Sequence, residues 1–128
     1  MKLTGRIIGA ALEVHNLPGP GFVESIYHRA LLHELNLCSL FTQTEHRIEI
    51  HYKDLIVGKH RLDIIVERMV VVEVKAVNAI ADVHIAQTLS YLKATSLELA
   101  LIFNFGQPQL SWKRLINSRQ CRELRELF

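Results

Sequence analysis

The sequence predicts a mixed α/β fold, and three observations carry that expectation. Apolar residues recur at three- and four-residue spacing in three stretches, alternate with polar ones in another, and form near-unbroken aliphatic runs in three more. The helical and extended stretches follow one another without an internal repeat, low-complexity tract or linker, so one domain over residues 1–128 is the economical reading. The run 61–76, RLDIIVERMVVVEVKA, is almost wholly apolar yet carries Asp63, Glu73 and Lys75. Charges in such a run need pairing, hydrogen bonds or a metal, because an ionised group in apolar surroundings is costly.

Each element has a local cause. Thr4 is a candidate N-cap for a first helix to about residue 17, with Ile7, Ile8, Ala11 and Val14 on one stripe. Pro18-Gly19-Pro20-Gly21 ends it, since successive prolines and glycines fix a turn. A second helix over about 22–36 places Val23, Ile26, Ala30, Leu31 and Leu35 on an apolar stripe, with Glu24 and Tyr27 in its first turns. From Thr42 the period becomes two, and His46, Ile48, Ile50 and Tyr52 form the expected covered face of a strand. Lys53-Asp54 reads as a hairpin turn. Gly58 then interrupts a second strand that runs on into 62–66, so that strand is expected to be long or bulged. A turn at Glu67-Arg68 leads to a third strand over 69–76. Residues 82–95 return to helical spacing, with Val83, Ala86, Leu89 and Leu92 inward and Gln87 and Tyr91 one turn apart on a neighbouring side. Two strands, 98–105 and 109–116, and a short Arg-rich terminal helix from Ser118 complete the chain.

With 49% hydrophobic and 22% charged residues, the 128-residue chain has enough apolar material for a core. No apolar stretch approaches the roughly 20 residues of a bilayer span, and the N-terminus carries no secretory apolar block. A cytoplasmic protein without a membrane partner is therefore expected. Cys38 and Cys121 fit no metal or redox spacing. The seven histidines show no zinc spacing, and no P-loop, nucleophile elbow or dinucleotide fingerprint is present. The net charge of +2 permits a polyanionic partner without requiring one. Lys113, Arg114, Arg119, Arg122 and Arg125 are either a phosphate-tracking patch or a solvated face.

The chemistry concentrates in 61–76. Strand alternation points Glu73 and Lys75 the same way, with Val72, Val74 and Ala76 on the other side. If the flanking strands form a hairpin through Glu67-Arg68, Asp63 comes opposite or next to Glu73. Two neighbouring carboxylates repel unless a cation lies between them, and an all-oxygen site suits Mg²⁺ or Mn²⁺. Such an ion would polarise a phosphoryl oxygen and acidify water, with the Lys75 ammonium beside it. A structural ion-pair cluster is the competing reading. Glu24 likewise has a simple explanation in the helix dipole.

The set Asp63, Glu73-Val74-Lys75, then Gln87 and Tyr91, resembles the PD-(D/E)XK nuclease superfamily. Gln87-Thr88-Leu89-Ser90-Tyr91 is similar to the Q-x-x-x-Y motif of its RecB-like members. Gly21-Phe22-Val23-Glu24-Ser25-Ile26-Tyr27 resembles the signature of the GxxExxY protein family, as do Val14-His15-Asn16, Tyr52-Lys53, Tyr91-Leu92-Lys93-Ala94-Thr95 and Asn104-Phe105-Gly106.

The resemblance implies a restriction-endonuclease-like α-β-β-β-α-β core with an extra N-terminal helix and a short C-terminal helix. It implies a metal-dependent nuclease that hydrolyses phosphodiesters in DNA, or less readily RNA, through water activated by Mg²⁺ or Mn²⁺. Asp63, Glu73, the Val74 carbonyl and Glu24 are its implied metal ligands. Glu24, Asp63, Glu73, Lys75 and Gln87 are the implied catalytic set, in which Lys75 positions the attacking water and Gln87 hydrogen-bonds the site or substrate. Tyr91 and Tyr27 are the aromatic residues expected on the substrate side. The alternative is a catalytically silent nucleic-acid or protein binding module on the same fold, and a homodimer is left open.

Overall fold

The computed structural model describes residues 2–117. The expected terminal helix, Cys121, Arg119, Arg122 and Arg125 lie outside the described residues. Helix α1 (Leu3–Asn16) is followed by α2 (Glu24–Leu37), and then by five strands: β1 (Thr42–Thr44), β2 (Arg47–Tyr52), β3 (Leu55–Arg61), β4 (Ile64–Val66) and β5 (Val70–Lys75). Helix α3 (Asp82–Thr95), β6 (Leu99–Asn104) and β7 (Ser111–Ile116) complete the order. No helix among the described residues is long and apolar enough to cross a membrane.

A mixed five-stranded sheet, ordered β1-β4-β5-β6-β7, forms the centre. The β5–β6 pair is parallel, joined by the α3 crossover, and its neighbours are antiparallel. One face packs Ile64, Val66, Val70, Val72, Val74, Leu101 and Phe103 against α1 and α2. The other packs Ile65, Val71 and Ala100 against Tyr91 and Leu92 of α3. With both faces covered, β5 can be an aliphatic run rather than an alternating one, as its sequence indicates.

Strands β2 and β3 form a separate two-stranded sheet, where the sequence suggested one continuous meander. The division is a bend in one long hairpin. Thr44 pairs with Ile64 in the main sheet, Arg47 pairs with Arg61 in the ribbon, and the Leu62 N–H donates to the His46 carbonyl at 2.8 Å between them. The register is the same on both sides of the interruption. Glu45, at φ +59°, breaks one strand there, opposite Leu62-Asp63 on the other. The anticipated bulge is present: Ile50 pairs with Gly58 and His51 with Ile56, leaving Val57 as the extra residue.

Two expected faces differ from those observed. Of the covered face predicted for β2, only Ile48 is buried, and Ile50 and Tyr52 are exposed because the ribbon runs beyond both the main sheet and α3. On α3, Thr88, Tyr91 and Leu92 are buried while Val83 is exposed. The helix is turned toward Tyr91 because Ile48 and Leu62 pack against this face from the side of the ribbon.

The turn residues behave as their chemistry requires. Glu67 and Arg68 both take positive φ, and the Met69 N–H closes the turn on the Val66 carbonyl at 3.0 Å. Gly19 and Gly21 are at φ +70° and +108° in the turn before α2. Gly106 follows β6 where a Cβ would stand 2.5 Å from the Val77 carbonyl oxygen, so only glycine lets these two segments approach. Thr4 lies inside α1 rather than at its cap, and its hydroxyl accepts a hydrogen bond from Arg114 at 2.8 Å. Lys113 and Arg114 are neighbours on β7 and point to opposite faces, so these two do not form a single patch.

Candidate active site

The bend in the long hairpin creates the site. Ile64 pairs with Val72, and the same register places Asp63 opposite Glu73. Here the strand leaves the sheet, and the Asp63 side chain takes over its hydrogen bonding: Oδ2 accepts from the Val74 N–H at 2.8 Å. The Asp63 carbonyl accepts from His28 Nε2 of α2 at 3.1 Å. One residue is thereby tied to β5 and to α2 at the end of the sheet.

Glu73 lies within the sheet on the α3 side and is buried. Its carboxyl is pushed up to about 9, first by burial and then by the neighbouring Asp63 carboxylate, with Lys75 partly opposing the shift. Glu73 Oε1 is buried and has no hydrogen-bond partner among the described residues. Lys75, two residues on, projects from the same side of β5 and is half-buried.

Tyr91 of α3 covers this group. Burial, Glu73 and Asp63 together push its phenol upward, and its buried hydroxyl also lacks a partner among the described residues. His60 of β3 stacks on its ring, with centroids 4.2 Å apart and planes at 16°. Burial lowers the His60 imidazole pKa and Lys75 lowers it further, while Asp63 acts in the opposite sense. His60 is the member of this cluster that sequence reading missed. Its only signal was its register opposite Ile48, on the covered side of the ribbon.

The other implied residues separate into two groups. Glu24 is exposed at the start of α2 and lines a cleft of about 470 Å³ with His28, Arg29, Glu45, Arg61 and Asp63. It does not join Asp63 and Glu73 as a third ligand, and no group of three His, Cys, Asp or Glu able to hold an ion occurs among the described residues. The reason is the layering: α2 packs against the sheet face opposite Glu73 and reaches Asp63 from its backbone side. Gln87 is exposed on α3, one turn before Tyr91.

Tyr27 departs from its expected role. It is fully buried, stacked on Phe105 at 4.8 Å, and its hydroxyl donates to the Gly19 carbonyl at 2.5 Å and accepts from the Phe22 N–H at 3.2 Å. The G-x-x-E-x-x-Y spacing thus fastens the glycine turn to the core, and no face of Tyr27 reaches a substrate. Asn104, next to Phe105 at the C-terminal end of β5, has a comparable role. Fully buried, its Oδ1 accepts from the N–H groups of Val77 and Gly106, each at 3.0 Å, and its Nδ2 donates to the Val77 carbonyl at 2.9 Å. These bonds fix the chain as it leaves the strand carrying Glu73 and Lys75.

The residues present fit a hard divalent cation. Two carboxyl groups stand opposite each other in the β4–β5 register, one has a buried oxygen that no donor among the described residues satisfies, and a lysine lies two residues along the strand. Such a pair is more stable with a cation between its oxygens than without one. The model of the PD-(D/E)XK nuclease superfamily matches residues 1–115. No curated protein and no solved structure matches the chain significantly. The mixed sheet with helices on both faces is consistent with the restriction-endonuclease-like fold, and the match spans every described element except the last residue of β7. With Asp63 at the bend of its hairpin and Glu73-x-Lys75 on the adjoining strand β5, the chain belongs to the PD-(D/E)XK nuclease superfamily.

Proposed function

We propose that the protein is a metal-dependent nuclease that hydrolyses phosphodiester bonds in DNA or RNA. The observation that carries the reading is the adjacency of the Asp63 and Glu73 carboxyls on one sheet face, with Lys75 next along the strand. Mg²⁺ or Mn²⁺ bound there would polarise a phosphoryl oxygen and acidify water. Asp63 and Glu73 are its side-chain ligands, with the Val74 carbonyl as the backbone ligand carried over from the family pattern. Lys75 orients the attacking water and offsets charge developing at phosphorus. Tyr91 and Leu92 close the inner side of the site to bulk water, and Tyr91 supports the Glu73 side of it. Gln87 meets the substrate from the exposed turn of α3 before Tyr91, and Glu24, with Arg29 and Arg61, does so from the cleft beside Asp63. The G-x-x-E-x-x-Y run at 21–27 supports a place in the GxxExxY family within the superfamily.

The test is cleavage of plasmid and single-stranded DNA by purified protein with Mg²⁺ or Mn²⁺, beside Lys75→Ala. We expect cleavage by the wild type and a loss on the order of 100-fold or more in the variant. Equal cleavage by both would identify a contaminant. Calorimetric metal binding that is unchanged in Asp63→Ala and Glu73→Ala would remove the assignment of these two ligands.

A further inference from the structure

The β2–β3 ribbon holds a second group of charges. Arg47, Lys59, His60 and Arg61, all basic residue types, line a concavity of about 240 Å³. Arg47 and Arg61 are directly paired across the two strands, and both are exposed. Like charges directly opposite each other on a sheet are destabilising, and an anion between them reverses the sign of their interaction. Two acidic residues are near. Glu45 Oε1 is 3.5 Å from Arg61 Nη1, and Glu49 pairs with Lys59 in the register while its carboxylate lies 3.6 Å from His51. No carboxylate is within ion-pair distance of Arg47 or Lys59 among the described residues.

The position of this group matters as much as its charge. Arg61 lines both the basic concavity and the cleft that contains Asp63. Lys59 and Arg61 lie two residues apart on one strand face, so their Cα atoms are roughly 6.6 Å apart. The ribbon is rooted at the same bend that positions Asp63, and His60 fastens it to Tyr91. An anion held at Arg47 and Arg61 is therefore held at a fixed place relative to Asp63. Guanidinium forks suit phosphate oxygens in particular.

We infer that this concavity is a phosphate-binding subsite that holds a backbone phosphate of a nucleic-acid strand whose neighbouring phosphodiester lies in the Asp63 cleft. The inference rests on the nuclease reading for what is cut, but not for what is bound. Its contacts are to phosphate and carry no base identity, so DNA and RNA strands of one sequence are expected to bind alike.

The experiment is fluorescence anisotropy of a labelled single-stranded DNA in EDTA across a salt series. Arg47→Ala and Lys59→Ala are each expected to weaken binding about tenfold at low salt and to reduce the slope of log affinity against log salt by about 0.7. Lys2→Ala, at the start of the described chain, is expected to bind as the wild type does. The melting temperature of Arg47→Ala should equal or exceed that of the wild type, because one of two opposed charges is gone. Wild-type affinity and salt slope in the Arg47→Ala/Lys59→Ala double variant would overturn the subsite. A lower melting temperature for Arg47→Ala would overturn it as well, by showing that the residue stabilises the ribbon. Cleavage by the wild type with unaltered binding in the variants removes the subsite alone. Altered binding without metal-dependent cleavage by the wild type removes the nuclease reading and leaves the subsite.

Discussion

The two halves of the long hairpin share one register and differ in almost everything else. From Ile64 to Val66 every side chain is buried, and the partner strand β5 is buried from Val70 through Val74. From Leu55 to Arg61, on the same strand's other side of the bend, no residue is fully buried. A sheet covered on both faces gives little room for adjustment, whereas an isolated two-stranded ribbon is marginal in water and depends on what it touches. Asp63 and Glu73 lie where one regime gives way to the other. Glu73 takes burial from the sheet, and Asp63 takes an opening to solvent from the bend. A site that must hold a charge firmly and also admit a substrate needs both.

The largest expected effect is at Glu73, on the buried side. Its carboxyl is pushed up to about 9 from the usual 4.5, so the folded state keeps a proton that the unfolded state gives up. Between about pH 4.5 and about pH 9 the folded state therefore binds more protons, and metal-free stability falls as pH rises through that window. Glu73→Gln removes the titrating group. Its melting temperature should stay flatter over this range and exceed that of the wild type at the alkaline end, while cleavage falls to background. A parallel decline in both proteins would show that Glu73 is not the group whose titration sets this slope.

The next effect compares the two halves directly. Leu101→Ala on β6 removes a fully buried side chain from the core beside β5 and should cost about 3 kcal/mol in denaturant unfolding. Leu55→Ala on the ribbon, where the side chain is 66% exposed, should change stability by less than about 0.5 kcal/mol. Similar losses at the two positions would mean that the ribbon is covered in solution and that the two halves do not differ in burial.

The same contrast separates what the sequence discloses from what it conceals. Asp63, Glu73 and Lys75 were legible because their placement follows from strand alternation and from a turn at Glu67-Arg68 that fixes the register. The boundaries of α3 were legible from helical spacing, but its inward face was not, since Tyr91 faces in only because Ile48 and Leu62 arrive from a distant segment. Nothing about Glu45 advertises a positive φ, so the bend dividing sheet from ribbon left no local mark. The two marked residues of the 21–27 motif lie in different surroundings. Glu24 faces the cleft at Asp63, whereas Tyr27 serves the turn it closes. Residue spacing records which side chains share an element, and roles across the sheet depend on layering that spacing does not encode.

The smallest expected effect concerns the joint between the halves. His60 is the ribbon residue whose ring lies flat on Tyr91, and a stacked aromatic pair contributes about 0.5–1.5 kcal/mol beyond its buried area. His60→Ala should destabilise the protein by roughly that amount in denaturant unfolding, less than Leu101→Ala and more than Leu55→Ala. His60→Phe keeps a flat ring on Tyr91 and should restore most of the loss, which separates stacking from any effect of imidazole charge. If His60→Ala costs nothing, the ribbon is held against α3 by Ile48 and Leu62, and its angle to Asp63 is set by the bend rather than by this contact. If Phe fails to restore what Ala loses, the imidazole acts through its nitrogens toward Asp63, and the joint is polar rather than aromatic.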